Sequence, residues 1–599
     1  MVNYELIYDG SKSSLDPIYG GPATYQQPLS GLSSAVDART ANQIKEVSEH
    51  LNTGIKNIEI QGTSPEILDS IPKQHFKEIN RIAKLTGAEL SMHAPMIDPT
   101  GITQRGWDKM NQDAAARQLW NAIERSHELN PKGNIPVTMH ATSAPLPPAV
   151  FKIKEKDEEG NIREITKSVL LVDPNGNLAQ VKEEDRFFPT KPGEVGKKIK
   201  FEPEEEIKRE NKELWLKQLD NLNFYAHRGE EVLREIEGFE KLAFEKEQEK
   251  DNKAVEDFQN RIKRSVSHGS IYLRDAYMQL KKNFDLVYKK ADQEDKKKLD
   301  EYAKKVSQNI NVFENIEKNP TELAKFSKMI EDGVNTLGQI NQPRILTPLR
   351  DFAIDKSSET VANLAVKSYK KFGDTSPIIS LENHPAGQSI LTRAEDIKDV
   401  IEKARERFVE KAKGEGFSES NARDAAKKII GATWDVGHIN MLRRYGYTKK
   451  DIIKETEKIA PYVKHVHLSD NFGYEHTELP MGMGNVPMKE ILKKLGEEGF
   501  EGKKVIEAAS WWQHFSQGGK QNPPLIPTLQ AMGSPIYPMQ MAPSWNQVYG
   551  TTGGYFAGYG TINPEIHHSL YGAGFSTLPT ELGGQIAGKD NRLTGTPMS

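Results

Sequence analysis

Cysteine is missing from all 599 residues. Its absence excludes disulfide staples, thiolate nucleophiles and every cysteine-type zinc site, so any metal would have to be held by His, Asp and Glu. Long hydrophobic runs are missing too. No segment approaches the roughly 20 apolar residues of a membrane helix, and mean hydropathy is −0.66. Nor does charge of one sign dominate: 81 Lys and Arg face 85 Asp and Glu, for a net charge of −4 and a pI near 6.5. Such a balance carries no bulk signature of a nucleic-acid protein and leaves only local basic patches. The opening MVNYELIYDGSKSS lacks the basic-then-apolar layout of a secretory leader. A cytoplasmic location without a membrane partner is expected.

What is present suits a folded chain of two to four units: 36% of residues are hydrophobic and 28% charged. From about residue 29, short apolar runs alternate with amphipathic stretches, the rhythm of a parallel α/β fold. PLSGLSSAV, KNIEIQG, AELSMHAP and IPVTMHAT read as strands one to four. Between them lie a helix from Ala38 N-capped by Asp37, another over Ser64–Leu85, and a third from about Trp107 to Leu129. The rhythm resumes with a helix near Thr360–Phe372 and then PIISLENHP, GATWDVGH, VKHVHLSDN and KKVIEAA as strands five to eight. Eight such units predict a (β/α)8 TIM barrel in two parts, residues 29–147 and 341–515. Residues 148–340 interrupt it, first with strand-like alternation around the turns DEEGN and DPNGN, then with long charged, mostly exposed helices. A solvated face is the plain reading of that charge run; a lid or a docking arm for a protein partner is the other. Residues 1–28 form an N-terminal extension, and 516–599 a Gly-, Pro- and Tyr-rich low-complexity tail.

In a TIM barrel the C-terminal strand ends converge on one site. Six predicted strands end in a metal-competent side chain: His93, His140, Glu382, Asp435, His467 and Glu507. A mixed shell of His and carboxylate suits zinc first, with manganese or magnesium as alternatives, and one to three divalent ions are expected. Burying so many carboxylates without cations would be very costly. His438 follows Asp435 in D-V-G-H, and the loop after strand seven carries His476 and Glu478. His465 lies two residues before His467 and reads as a deeper barrel residue on the same strand face. His384 and Asp470 are candidate substrate contacts.

SMHAPMID, TMHATS, LENHPAGQ, TWDVGH, HVHLSD, GMGNVP and VIEAA, in this order, resemble the xylose isomerase-like TIM-barrel superfamily, which includes endonuclease IV (AP endonuclease family 2) and sugar-phosphate isomerases and epimerases. The similarity spans about Leu29 to Trp512 without the insertion. By resemblance to endonuclease IV, His93 and His140 would bind one metal with Glu382 as bridge, and Glu382, Asp435, His467 and Glu507 a second. His438 matches the third-metal histidine, but the Asp-x-His pair of endonuclease IV appears inverted as His476-Thr477-Glu478. Its Gly-Glu-Gly is Gly482-Met483-Gly484 here, its apolar wedge is Met96-Ile97, and QGTSPEIL after strand two has no Arg. Met96 and Ile97 would be substrate-facing.

Three functions compete. Endonuclease IV-like hydrolysis of DNA at abasic sites, a DNA-repair activity, would use Glu382, Glu507 and His438 around the metals. A sugar or sugar-phosphate isomerase or epimerase would hold one metal with Glu382, Asp435, His467 and Glu507, with His438 on the sugar. A non-catalytic interaction protein would keep the barrel as a scaffold. The hydrolase leads.

Overall fold

The computed structural model describes residues 32–507 except 53–54, 157–159, 185–186, 188–200, 310–315, 318, 480, 483 and 499–503. The expected N-terminal extension, the start of the first strand, Met483 and the tail lie outside the described residues.

Eight parallel strands pair in chain order and close into a ring: β1 (Leu32–Ala35), β2 (Asn57–Gln61), β3 (Glu89–His93), β4 (Pro136–His140), β5 (Ile378–Glu382), β6 (Ile430–Asp435), β7 (Val463–Leu468) and β8 (Lys504–Ile506), with β8 returning to β1. The ring is a (β/α)8 barrel. Side chains alternate across it at the two-residue period of a strand. Ile58, Ile60, Met92, Val137, Met139, Ile379, Leu381, Trp434 and Val466 are fully buried on the outer face. The inner face is polar, as contacts across the ring show: Thr138 Oγ1 meets Thr433 Oγ1 at 2.9 Å, and His465 Nε2 meets Glu59 Oε2 at 2.9 Å. Trp434, the largest wholly buried side chain, gives its indole N–H to Thr456 Oγ1, which removes the cost of burying that donor.

Local chemistry sets the helix ends. Ser64 caps Pro65–Ser70, Asp108 caps Lys109–Leu129 and Ser418 caps Glu419–Ile429 by accepting backbone N–H groups. Lys73–Thr86 ends on Gly87 in the left-handed region at φ 68°. The helix expected over Ser64–Leu85 is two helices, because Pro72 ends the first turn set and starts the next. Asp37 is not a helix cap: its carboxylate receives the Arg39 guanidinium and backbone N–H, and the helix begins only at Gln43. The helix expected near Thr360 already starts at Leu349.

The chain divides into two compact units, Glu184–Thr347 and the remainder. The antiparallel strands Val150–Lys156, Ile162–Val172 and Leu178–Lys182 belong to the barrel unit; the predicted turn DPNGN joins the last two, while most of DEEGN lies outside the described residues. Tyr447 Oη donates to Glu164 Oε2 at 2.8 Å, tying this sheet to the rim of the barrel.

The other unit consists of Pro203–Gln248, Asn252–Tyr288, Gln293–Gln308 and Pro320–Gly338. The sequence predicts mostly exposed helices here, yet they bury a core of their own with Trp215, Leu222, Leu273, Phe326 and Ile330. Apolar residues spaced one turn apart within the charge run make that stripe. A Cβ at Gly229 would lie 2.3 Å from Leu273 Cδ2, so the two longest helices approach where glycine leaves room. No helix among the described residues is long and apolar enough to cross a membrane.

Candidate metal centre

Because β-strands alternate, residues two apart on one strand share a face, and the last inward position of each strand stands at one rim of the ring. His93, His140, Glu382, Asp435 and His467 occupy such positions, all buried, and Glu507 follows β8 with its side chain 15% exposed. The ladder sets Glu382 beside His140 and Asp435 beside His467.

Glu382 is the hub. Its Oε2 lies 3.2 Å from His93 Nε2 and 3.4 Å from His140 Nε2. Its Oε1 lies 2.8 Å from His467 Nδ1, which is also 3.2 Å from Glu507 Oε2. One carboxylate thus faces two histidines with one oxygen and a second group with the other. Ligand atoms of Glu382, Asp435, His467 and Glu507 all fall within 4.8 Å of one another, as do those of His93, Glu382 and His467. The backbone of Ala94 fixes His93 by accepting from Nδ1 at 2.7 Å, leaving Nε2 for the centre.

A third group stands beside the hub. His438 Nδ1 donates to the Asn383 carbonyl at 2.7 Å, and its Nε2 lies 2.8 Å from His476 Nε2. His476 Nε2 is in turn 3.3 Å from Glu478 Oε1. The inverted pair of the loop after β7 is therefore brought to His438. Glu478 holds φ 46°, in the left-handed region that a side chain with a Cβ rarely adopts.

Supporting contacts come from main-chain turns. Asp435 Oδ1 accepts the His438 N–H at 2.7 Å and the Ser469 hydroxyl at 3.1 Å. Asn383 pins the Asp435 backbone from both sides, donating to its carbonyl and accepting from its N–H. Asp98 accepts the N–H groups of Ser143 and Ala144, joining the loops that follow β3 and β4.

The electrostatics are those of an overloaded anionic cavity. Burial opposes charge on Glu382, but His467, His140 and His93 together hold its carboxyl well below the usual range. Burial likewise opposes charge on His93, yet Glu382, with Glu507 and Glu59 behind it, pushes the ring up to about 9. His467 is also raised against its burial, by Glu507, Glu382 and Glu59. For Asp435 burial, Glu507 and Glu382 act together and drive the carboxyl well above its ordinary value. Burial brings His140 down to about 3 and His384 down to about 4. His140 Nδ1 and His384 Nδ1 have no hydrogen-bond partner among the described residues. Carboxylates that cannot all ionise together, packed among imidazoles, form the donor set a divalent cation satisfies. The residues fit a zinc-, manganese- or magnesium-type ion held by His and carboxylate.

The remaining expected site residues divide. His384 is half-buried, its ring 5.1 Å from that of His140 and 6.5 Å from that of His438. Met96 is 53% exposed and Ile97 half-buried. Asp470 is not presented to a substrate: its carboxylate accepts the N–H groups of Asn471, Gly482 and Val486, so it clamps the loop that follows β7. His465 lies deeper in the barrel, on Glu59.

Glu59 itself is missing from the ligand pattern in the sequence. It lies in the middle of β2, wholly buried, and receives the Ser91 hydroxyl at 3.0 Å and the Gln61 amide at 3.1 Å as well as His465. The available signal is a lone acid within the apolar run NIEIQ.

A family model described as "Xylose isomerase-like TIM barrel" matches residues 276–521. An uncharacterized protein of Methanocaldococcus jannaschii is 34% identical over 85 residues, which are 14% of this chain and 28% of that protein. The chain thus matches little more than a quarter of that relative's length. A solved structure titled "Crystal structure of D-tagatose 3-epimerase-like protein" aligns over 80% of this chain and 91% of that one, at 12% identity and a TM-score of 0.34. The closed ring, with its strand-end histidines and carboxylates, and the family match agree: the barrel of this chain is similar to the xylose isomerase-like TIM barrels.

Proposed function

We propose that this protein is a divalent-metal-dependent hydrolase of phosphodiesters, of the endonuclease IV type that acts on DNA at abasic sites. The observation that carries the reading is the two-sided use of Glu382, with His93 and His140 on Oε2 and His467 on Oε1. A carboxylate placed this way suits two adjacent cations better than one. The separate group of His438, His476 and Glu478 offers a further position. In this reading His93, His140 and Glu382 hold one ion, Glu382, Asp435, His467 and Glu507 hold another, and His438, His476 and Glu478 hold a third. When bound, such ions lower the pKa of water and stabilise charge on phosphoryl oxygens.

The chain's own residues would do the rest. Asp98 and Asn383 keep the strand-end loops in place around the ligands. His384, neutral at pH 7 and with no partner for Nδ1 among the described residues, can meet a substrate hydroxyl or phosphoryl oxygen. Met96, which is exposed, would press against a base or sugar. The test is incision of a duplex oligonucleotide carrying one abasic site, with and without chelator. Chelator-sensitive cleavage supports the reading, and no cleavage at high enzyme concentration overturns it.

A second reading has its own support. Glu382, Asp435, His467 and Glu507 form a self-sufficient four-residue set that needs neither His93 nor His140. A single ion there, with Glu382 and Glu507 moving a proton at carbon, would make the protein a sugar or sugar-phosphate isomerase or epimerase. About one bound ion per chain, with solvent deuterium entering a ketose, would favour it. Two or three ions favour the hydrolase.

A further inference from the structure

The strongest unassigned group in the molecule is the buried carboxylate of Glu59. It faces the metal centre from behind. Its Oε1 lies 3.3 Å from His467 Nε2, while the other nitrogen of that ring, Nδ1, points to Glu382 and Glu507 at 2.8 and 3.2 Å. Its Oε2 takes the Ser91 hydroxyl and His465 Nε2. All of these side chains except Glu507 are buried. A fully buried carboxylate is tolerated only when donors surround it, and here Ser91, Gln61 and His465 fix the plane of the carboxylate. At 3.3 Å the anion attracts a proton to the nitrogen of His467 that faces it, although the ring N–H is not aligned into a hydrogen bond. Which nitrogen of a ligating histidine is free for a metal is set by what the other nitrogen touches.

We infer that Glu59 is a positioning residue that orients His467 and reserves its Nδ1 for a divalent cation, so that the affinity of the barrel for metal depends on a side chain that is not itself a ligand. The inference rests on the metal-centre reading above. His465 takes part as a brace of the carboxylate.

The test compares wild type with Glu59→Gln and Glu59→Asp, each prepared metal-free and titrated with Zn2+ or Mn2+ against a competing chelator. Glutamine keeps the volume and removes the charge; aspartate keeps the charge and withdraws it by one methylene, so a fold that rejects the first variant can accept the second. The expected result is an affinity weakened about 10- to 100-fold with the number of bound ions retained. Nitrogen chemical shifts of His467 in the loaded wild type should show Nε2 protonated and Nδ1 bare. Wild-type affinity in a folded Glu59 variant would overturn the inference and leave the metal centre standing. If the wild type binds no divalent ion, the metal reading falls, and this inference with it.

Discussion

Asp98 Oδ2 accepts the backbone N–H of Ala144 at 2.7 Å, and that of Ser143 at 2.8 Å. The pair joins the loop that leaves His93 to the loop that leaves His140. Burial pushes the Asp98 carboxyl upward, and the hydrogen bonds from Thr100, Ser143 and Ala144 oppose that. Asp98→Ala strands the backbone amides of Thr100, Ser143 and Ala144, so it should cost about 2–4 kcal/mol. It should also weaken metal binding more than a surface substitution of equal stability cost. Denaturant unfolding and metal titration of the same preparation check both parts.

Cation binding should stabilise the folded chain. At a free ion concentration 100 times Kd the gain is about 2.7 kcal/mol. Because Glu382 touches three of the proposed ligands, Glu382→Gln should abolish most of this gain. Thermal unfolding with and without chelator measures it. Equal shifts in wild type and variant would place the ions elsewhere.

Glu478 combines a backbone conformation that favours glycine with a place beside His438 and His476. Glu478→Gly should therefore relieve backbone strain of about 1 kcal/mol while removing one position for an ion. The expected result is a metal-free protein no less stable than wild type that binds one ion fewer. An unchanged ion count by elemental analysis would contradict it.

Metal-free protein should be most stable near pH 6.5. Burial holds His140 down to about 3, and His384 and His50 down to about 4. When unfolded these rings take a proton near 6.5, and when folded they refuse it, so stability is lost as pH falls below 6.5. Each contributes up to about 1.4 kcal/mol per pH unit. His93 runs the other way. Raised to about 9, it adds stability that is complete below 6.5 and is lost as pH rises from there to 9. Chemical denaturation in chelator between pH 5 and 9 tests the sign, and stability that climbs steadily to pH 9 would rule out a charged His93.

Much of this was legible in the sequence for one physical reason: a parallel barrel converts the last inward residue of each strand into a site residue. His93, His140, Glu382, Asp435 and His467 could be read from strand ends alone. Glu59 could not, because its partner Ser91 comes from the neighbouring strand and its partner His465 reaches it only through closure of the ring. Asp470 misleads because a loop carboxylate can turn outward or back onto its own amides, and composition does not distinguish the two. The helical unit misleads in the opposite sense. Its buried stripe of Leu222, Leu273 and Phe326 is diluted by charge on every other face.

The ladder that pairs Glu382 with His140 joins two residues separated in sequence by the whole helical unit. Two of the proposed ligands, His93 and His140, are synthesised before that unit and the others after it. An emerging N-terminal half therefore exposes His93 and His140 with no carboxylate hub, and cannot complete a cage for a cation. Loop closure across the gap becomes less unfavourable once the intervening helices have collapsed, since the entropy lost rises with the length of flexible chain. Metal capture should thus be a late event in biogenesis, gated by the folding of a segment that supplies none of the ligands.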